Sequence, residues 1–296
     1  MAEVPPIVVK DLVKRFEDQV VLDGVNLEVQ QGETMVIMGG SGSGKSTMLR
    51  CMIGAIMPEA GSVFLLNRNL CELSEDQLNV LRKKIGILFQ SGALFNSMTV
   101  AENVALPIQE HTSLDAQTIE IMVKIKLELV GLREHADKFP AQISGGMKKR
   151  AGLARALALD PKILFYDEPS AGLDPVTSAE IDRLIIDLSR KLGVTSVVVT
   201  HEMDSAFAIA DRMAMLDKGR MLMVDTRESF DVLRKMSAEE ALRLDEKRQT
   251  VRQFLRGDAE GPITRRRAAT NYADDLLGDV NMPSMRTPSV ESTRVM

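Results

Sequence analysis

Apolar positions along this chain follow two kinds of pattern. Near the front they run or alternate over short stretches: Ile7 to Val9, Val20 to Val29, and Glu33 to Met38, the last ending at Gly39-Gly40. Runs of that length bounded by turn residues predict strands. Lys45 to Met57 then predicts a helix stopped by Pro58. A strand over Ser62 to Leu66, a polar helix near Ser74 to Lys84 and a strand over Ile85 to Phe89 follow. From Thr99 to Leu159 the period becomes helical, and Asp115 to Val130 is the clearest helix. Beyond Pro161 strands and helices alternate again, over Ile163 to Tyr166, Ser178 to Lys191, Ser196 to Thr200 and Met203 to Ala210. Alternation of this kind implies a parallel sheet with crossover helices, into which 99–159 is inserted as a helical subdomain.

A charged helix is expected over Ser237 to Arg256, with Val251, Phe254 and Leu255 giving it an apolar edge. So small an edge does not fold alone in water. It needs a surface: the neighbouring subunit is the expected one, with the chain's own catalytic domain as the alternative. The basic run Arg265-Arg266-Arg267 offers an anionic membrane surface as a third, blunted by Asp274, Asp275 and Asp279. After Gly261-Pro262 the composition turns to Arg, Thr, Ser, Asp and Pro without apolar periodicity. The expected organisation is a catalytic domain over 5–236, a helical extension over 237–264 and a flexible tail over 265–296.

Composition narrows the classes. Of 296 residues 45% are hydrophobic and 27% charged, a balance that allows a sizeable core; with no Trp and 4% aromatics, Leu, Ile, Val and Met must fill it. The net charge of -5 argues against nucleic acid as a partner. Cys51 and Cys71 lack metal-ligand spacing and are expected as free thiols in a reducing compartment. Met1 to Pro6 carries no basic or apolar leader segment, so no signal peptide is expected. No apolar run approaches the ~20 residues that span a bilayer, so any membrane role is peripheral.

Candidate chemistry sits where strands end. Gly39-Gly40-Ser41-Gly42-Ser43-Gly44-Lys45-Ser46-Thr47 fits G-x-x-x-x-G-K-[ST], after an apolar strand and before a helix. In that setting backbone N–H groups turn toward phosphates, Lys45 reaches the β- and γ-phosphates, and the Ser46 hydroxyl can ligate Mg²⁺. Asp167 and Glu168 close the strand Ile163 to Tyr166 and face the ligand crevice, Asp167 toward Mg²⁺ and Glu168 placed to polarise an attacking water. Gln90 and His201 hold the same position after their strands, and Gln90 can touch both Mg²⁺ and water. Ser144-Gly145-Gly146-Met147 opens a helix carrying Lys148, Lys149, Arg150 and Arg155, a second anion-binding terminus. One chain with one nucleotide has little use for it, but two chains packed head to tail could each present it to the other's γ-phosphate.

These motifs in this order resemble the ABC transporter ATPases over about Ile7 to Asp225. The resemblance implies an α/β fold, a P-loop NTPase core of ABC type with an inserted helical subdomain and a C-terminal helical extension. It implies that Phe16 stacks on adenine and that Gln90 is the Q-loop glutamine. Ser144, Gly145 and Gly146 form the signature, Asp167 and Glu168 are Walker B and the base, Asp174 ends the D-loop Ala171-Gly172-Leu173-Asp174, and His201 is the switch histidine. Met147 departs from the usual signature glutamine, which touches only that side chain's own contact, and Gly40 replaces a frequent proline.

A narrower resemblance rests on Phe89-Gln90-Ser91-Gly92-Ala93-Leu94-Phe95, Asn103, Pro107 with Glu110-His111-Thr112, Lys148-Lys149-Arg150-Ala151, and Val251 to Gly257 with Gly261-Pro262-Ile263. It is similar to the ATPases of MCE-type lipid transporters. That resemblance implies ATP and Mg²⁺ as cofactors, a homodimer, integral membrane permease subunits docked along Ser91 to Pro107 with Leu94, Phe95 and Met98 as contacts, an MCE-domain protein, a lipid substrate, and a place on the cytoplasmic face of the bacterial inner membrane. The alternative is a subunit of an importer or exporter for a small solute, which would share every catalytic motif.

Overall fold

The computed structural model describes residues 4–264. In chain order its elements are β1 (Ile7–Phe16), β2 (Gln19–Val29), β3 (Thr34–Met38), α1 (Lys45–Met52), β4 (Ala60–Leu65), β5 (Arg68–Asn69), α2 (Glu75–Arg82), β6 (Ile85–Leu88), α3 (Val100–His111), α4 (Ala116–Leu129) and α5 (Gly145–Ala156). There follow β7 (Ile163–Asp167), α6 (Pro175–Leu192), β8 (Thr195–Val199), α7 (Met203–Ile209), β9 (Arg212–Asp217), β10 (Arg220–Thr226), α8 (Arg227–Lys235), α9 (Ala238–Ala241) and α10 (Glu246–Arg256). They build two sheets: an antiparallel one in the order β2-β1-β4-β5, and a larger one in the order β10-β9-β3-β8-β7-β6.

The strands β3, β7, β8 and β9 of the larger sheet are buried on both faces, so they read as largely apolar runs, while the edge strand β10 stays partly exposed. Alternate residues feed two cores. Met35 and Ile37 of β3, Phe165 of β7 and Val197 of β8 pack against α1, α2 and the antiparallel sheet. Val36, Met38, Leu164, Tyr166 and Val198 pack against the helices on the other side. All pairings from β6 to β9 are parallel, and only the edge strand β10 is antiparallel. This places the carboxyl ends of β3, β6, β7 and β8 along one rim. The expected helical insertion appears as α3, α4 and α5, which leave the sheet after β6 and return at its neighbour β7.

Several elements differ from the sequence reading. The first helix ends at Met52 rather than Met57, because Gly54 turns left-handed (φ 68°) and Ala55 N–H closes back on Arg50 O at 2.9 Å. The hairpin β9–β10 was not foreseen. Its Met-rich strands carry weak strand propensity, and its turn signal is the pair Lys218-Gly219, both left-handed (φ 47° and 77°) as a tight hairpin turn requires. The single helix expected over 237–256 is instead α9 and α10, each with its own N-cap at Ser237 and Asp245, and preceded by the unforeseen α8.

The apolar edge of α10 is already covered. Val251 (0% exposed) and Leu255 join Phe230 and Leu233 of α8 in the helical core, and Phe254 packs at its margin. Arg252 donates to Met236 O and to Asp258, while Gln253 accepts from Ile263 N–H at 2.7 Å and donates to Asp258 O. The surface that this edge needs comes from the same chain, not from a neighbouring subunit as expected. The expected tail 265–296, with Arg265 to Arg267, lies outside the described residues. Cys51 is buried, Cys71 is exposed, and both are free. Val251→Asp would bury an unpaired charge and is expected to cost about 3 kcal/mol or more. Thermal melting of the purified chain checks this, and an unchanged melting temperature would place α10 off its own domain.

Candidate active site

The loop from Gly39 to Thr47 leaves β3, between its parallel neighbours β8 and β9, and enters α1. Lys45 is buried (8% exposed), and its ammonium donates to Gly39 O at 2.8 Å and Gly40 O at 3.0 Å, folding the side chain back over the loop. Gly219 N–H from the β9–β10 turn holds Ser43 O at 3.0 Å. Ser41, Gly42 and Ser46 stay exposed and Thr47 half-buried, so the open face of the loop is ringed by Ser41, Gly42 and Ser46. The first turn of α1 carries no acidic residue that would oppose an anion. Val21 and Leu22 of β2 lie directly against Gly44. The same hairpin carries Phe16, about half exposed with Lys14 Nζ 5.2 Å from its ring centre.

Next along the rim, β7 ends in Asp167 and Glu168. Ser46, at the start of α1, faces this strand end and favours the charged Asp167 carboxylate. Burial holds the Asp167 carboxyl above its ordinary value and the adjacent Glu168 charge adds to this, while Arg50, Ser46 and Lys149 pull the other way. Burial likewise holds the Lys45 ammonium below its ordinary value, against the attraction of Glu168 and Asp167. Glu168 has a left-handed backbone (φ 49°), a conformation that costs a non-glycine residue about 1 kcal/mol or more. Three contacts hold it there. Its N–H donates to Val199 O at 2.9 Å, its carbonyl accepts from Lys149 Nζ at 2.9 Å, and its carboxylate takes His201 N–H at 3.3 Å and pairs with His201 Nδ1 at 2.8 Å. The imidazole is mostly exposed and the carboxylate mostly buried. Gln90, one residue beyond Phe89, is exposed at the end of β6, the strand paired with β7.

Ser144 and Asp174 assemble a second place. Ser144 caps α5, its Oγ accepting from Met147 N–H at 3.2 Å, and Asp174 caps α6 by accepting from Val176 and Thr177 N–H at 3.1 Å. The Thr177 hydroxyl also donates to Asp174, and these bonds hold the Asp174 carboxyl below its ordinary value. Thr177 meets Gly146 so closely that a Cβ there would sit 2.4 Å from its methyl, which is why α5 needs glycine at that turn. Ser144 and Gly145 remain exposed. Among the described residues neither they nor Asp174 hydrogen-bond to the P-loop of the same chain.

A groove of about 910 Å³ opens beside Gln90, lined by Phe89, Pro107, His111, Ala156 and Leu159 among others. The loop bordering it is caged by Asn103, which is fully buried. Its amide donates to Phe95 O, Met98 O and Thr99 O and accepts from Phe95 N–H. Phe95 is thereby held outward, half exposed, whereas Leu94 packs against the helical core. Arg155 of α5 ties the Gln90 side of the groove by donating to Ala93 O at 2.8 Å and Gly92 O at 3.1 Å.

Residues 22–171 match the family described as ABC transporter. The chain belongs to the ABC transporter family. It is 40% identical to the intermembrane phospholipid transport system ATP-binding protein MlaF of Haemophilus influenzae, over 91% of this chain and 97% of that one. It is 42% identical to the probable ribonucleotide transport ATP-binding protein mkl of Mycobacterium leprae, over 86% of this chain and 70% of the relative. Among solved structures, a dimeric post-hydrolysis state of the ATP-binding cassette MJ0796 bound to ADP and Pi superposes with TM-score 0.69 at 33% identity, over 75% of this chain and 98% of the cassette. The cbiO1 subunit from Clostridium perfringens superposes with TM-score 0.73 at 31% identity, over 82% and 96%. This chain is an ABC ATPase, and the family's cassettes work as pairs with membrane permeases.

Sequence reasoning passed over two residues of this ABC ATPase. Lys149 was placed in a basic run, yet it is 5% exposed and reaches Glu168. The signal was its spacing, three residues from Gly146 and three and four from Gly152 and Leu153, which puts it on the packed stripe of α5. Asn103 was noticed only through the family resemblance, although a lone Asn between Glu102 and Val104 on an apolar helix face is itself a sign of a buried polar clamp.

The raised Asp167 carboxyl yields a test. Its folded state binds a proton more tightly than its unfolded state, so stability is lost as pH rises from the ordinary value of 3.8 through the raised one. Asp167→Asn removes that loss. At neutral pH the nucleotide-free variant should melt above the parent while ATP turnover falls at least about a hundredfold, the size of effect expected when a transition-state contact is removed. A variant that melts lower and turns over normally would refute both halves.

Proposed function

We propose that this chain powers lipid transport as the paired ATPase of an MCE-type transporter beneath a membrane permease. The observation that carries the reading is the extent of the likeness to MlaF, 97% of whose length is matched, well beyond the 22–171 shared by the whole family. The name of the mycobacterial relative favours a second reading, transport of ribonucleotides or another small solute. No described helix is long and apolar enough to cross a membrane, which suits a peripheral place on the cytoplasmic face of the inner membrane. An MCE-domain protein would supply the lipid-carrying path.

In this reading the rim residues divide the work. Phe16 stacks on adenine. The N–H groups of Gly39 to Thr47 and the Lys45 ammonium take the phosphates, Lys45 exchanging the two loop carbonyls it now holds for the β- and γ-oxygens. The donor set fits Mg²⁺: Ser46 offers an exposed hydroxyl, Asp167 a carboxylate at the neighbouring strand end that Ser46 helps keep charged, Gln90 lies on the same rim, and the described residues hold no trio of acidic or His/Cys ligands that could cage a cation without phosphate. When bound, Mg²⁺ would neutralise charge developing between the β- and γ-phosphates. Glu168 polarises the attacking water and His201 fixes the carboxylate through the 2.8 Å pair. Ser144, Gly145, Gly146 and Asp174 meet the nucleotide held by the partner subunit, closing its half-site. The groove beside Phe89 and the projecting Phe95 receive the permease.

Lys45→Ala should lose nucleotide binding and hydrolysis together, whereas Glu168→Gln should bind ATP and hold it as a dimer with turnover down at least about a hundredfold. Equilibrium binding with a turnover assay separates them, and brisk hydrolysis by Glu168→Gln would overturn the base assignment. Phe95→Glu should abolish copurification with the permease and leave ATP binding intact; normal copurification would refute the docking surface. An ATP-driven transport assay with the reconstituted transporter distinguishes the two cargo readings, since movement of labelled phospholipid supports the first and movement of labelled ribonucleotide the second.

A further inference from the structure

We propose that Lys149 is a positioning residue that couples the signature helix α5 to the catalytic carboxylate of its own chain. The inference rests on the assignment of Glu168 as the base. Lys149 leaves the helix that begins at Ser144, the residue facing outward toward a partner's nucleotide, and its ammonium donates to Glu168 O at 2.9 Å while being 5% exposed. A buried ammonium is costly unless it is bonded and matched by charge. Here Glu168, Glu202 and Asp167 all lie close enough to favour its charged form, against the burial that opposes it. The bonded carbonyl belongs to the residue with the strained φ of 49°. That backbone turn aims the carboxylate at His201, so an atom that holds the carbonyl also sets where the carboxylate points.

The consequence is mechanical. α5 is packed along its length, through Gly146 against Thr177, through Gly152 against Gly92, and through Arg155 on the Gly92 and Ala93 carbonyls. It therefore moves as a piece. A shift at Ser144, where the partner's nucleotide arrives, is passed by Lys149 to Glu168 and by Arg155 to the loop after Gln90. Each half-site would thus sense whether the other is filled, through one rigid helix and one buried bond.

The test compares Lys149→Met, which fills the space without a donor, with Lys149→Arg, which keeps charge and donor. Lys149→Met should lower kcat by about tenfold to a hundredfold, the penalty of a misplacement near 1 Å. Its KM for ATP and its melting temperature should stay near those of the parent, and ATP should accumulate on a stable dimer. Lys149→Arg should recover most of the lost kcat. An unchanged kcat in Lys149→Met, or a loss of kcat accompanied by an equal loss of ATP affinity and of thermal stability that Lys149→Arg does not rescue, would overturn the proposal. Glu168→Gln measured alongside keeps the two ideas apart: if that variant hydrolyses ATP like the parent, the base assignment fails, whatever Lys149 does.

Discussion

Two carboxylates on adjacent residues, half-buried at the end of one strand, are the constraint around which the rest is arranged. Asp167 and Glu168 repel each other and lose hydration, and burial holds Asp167 above its ordinary value. The offsetting groups come from elsewhere in the chain: Lys45, Ser46 and Arg50 from the first helix, Lys149 from α5, and His201 from the turn after β8. Each arrives because parallel strands bring their carboxyl ends to one rim. Sheet order thereby sets the electrostatics of the site, and a local excess of negative charge is kept where a cation and a polyphosphate can relieve it.

That arrangement accounts for the division of the molecule into halves. The P-loop, Asp167, Glu168 and His201 follow the carboxyl ends of neighbouring strands of one chain, with Glu168 and His201 paired, while Ser144, Gly145 and Asp174 stand exposed at another edge, joined to each other through Thr177 and Gly146. In the proposed reading this exposed helix terminus meets the nucleotide held by a second copy. The dimeric cassette to which this chain is similar, bound to ADP and Pi, has the same fold over three quarters of this chain. The C-terminal helices take a different course from the one their composition suggests. Their small apolar edge is consumed by α8 and β10 of the same chain.

Local pattern determined much of this. The P-loop announces itself because phosphate binding needs glycine-rich backbone, a lysine and a hydroxyl in fixed register between a strand and a helix. Both strand-end acids and His201 were visible for the same reason, since each follows an apolar run short enough to be only a strand. The cap at Ser144 was visible too, because capping is a matter of four consecutive residues.

Tertiary structure alone decided the rest, wherever the deciding partner is distant in sequence. The left-handed turn at Glu168 depends on Val199, His201 and Lys149, which lie 19 to 33 residues away. The hairpin β9–β10 is stabilised by its place beside β3 rather than by the propensity of its methionines. Whether α10 would cover its own domain or a neighbour turned on Phe230 and Leu233, whose helix was not foreseen. A residue's type and spacing report the chemistry it can offer and the local element it favours. The contacts that strain, bury or aim it are long-range, and they exist only once the sheet has brought its strand ends together.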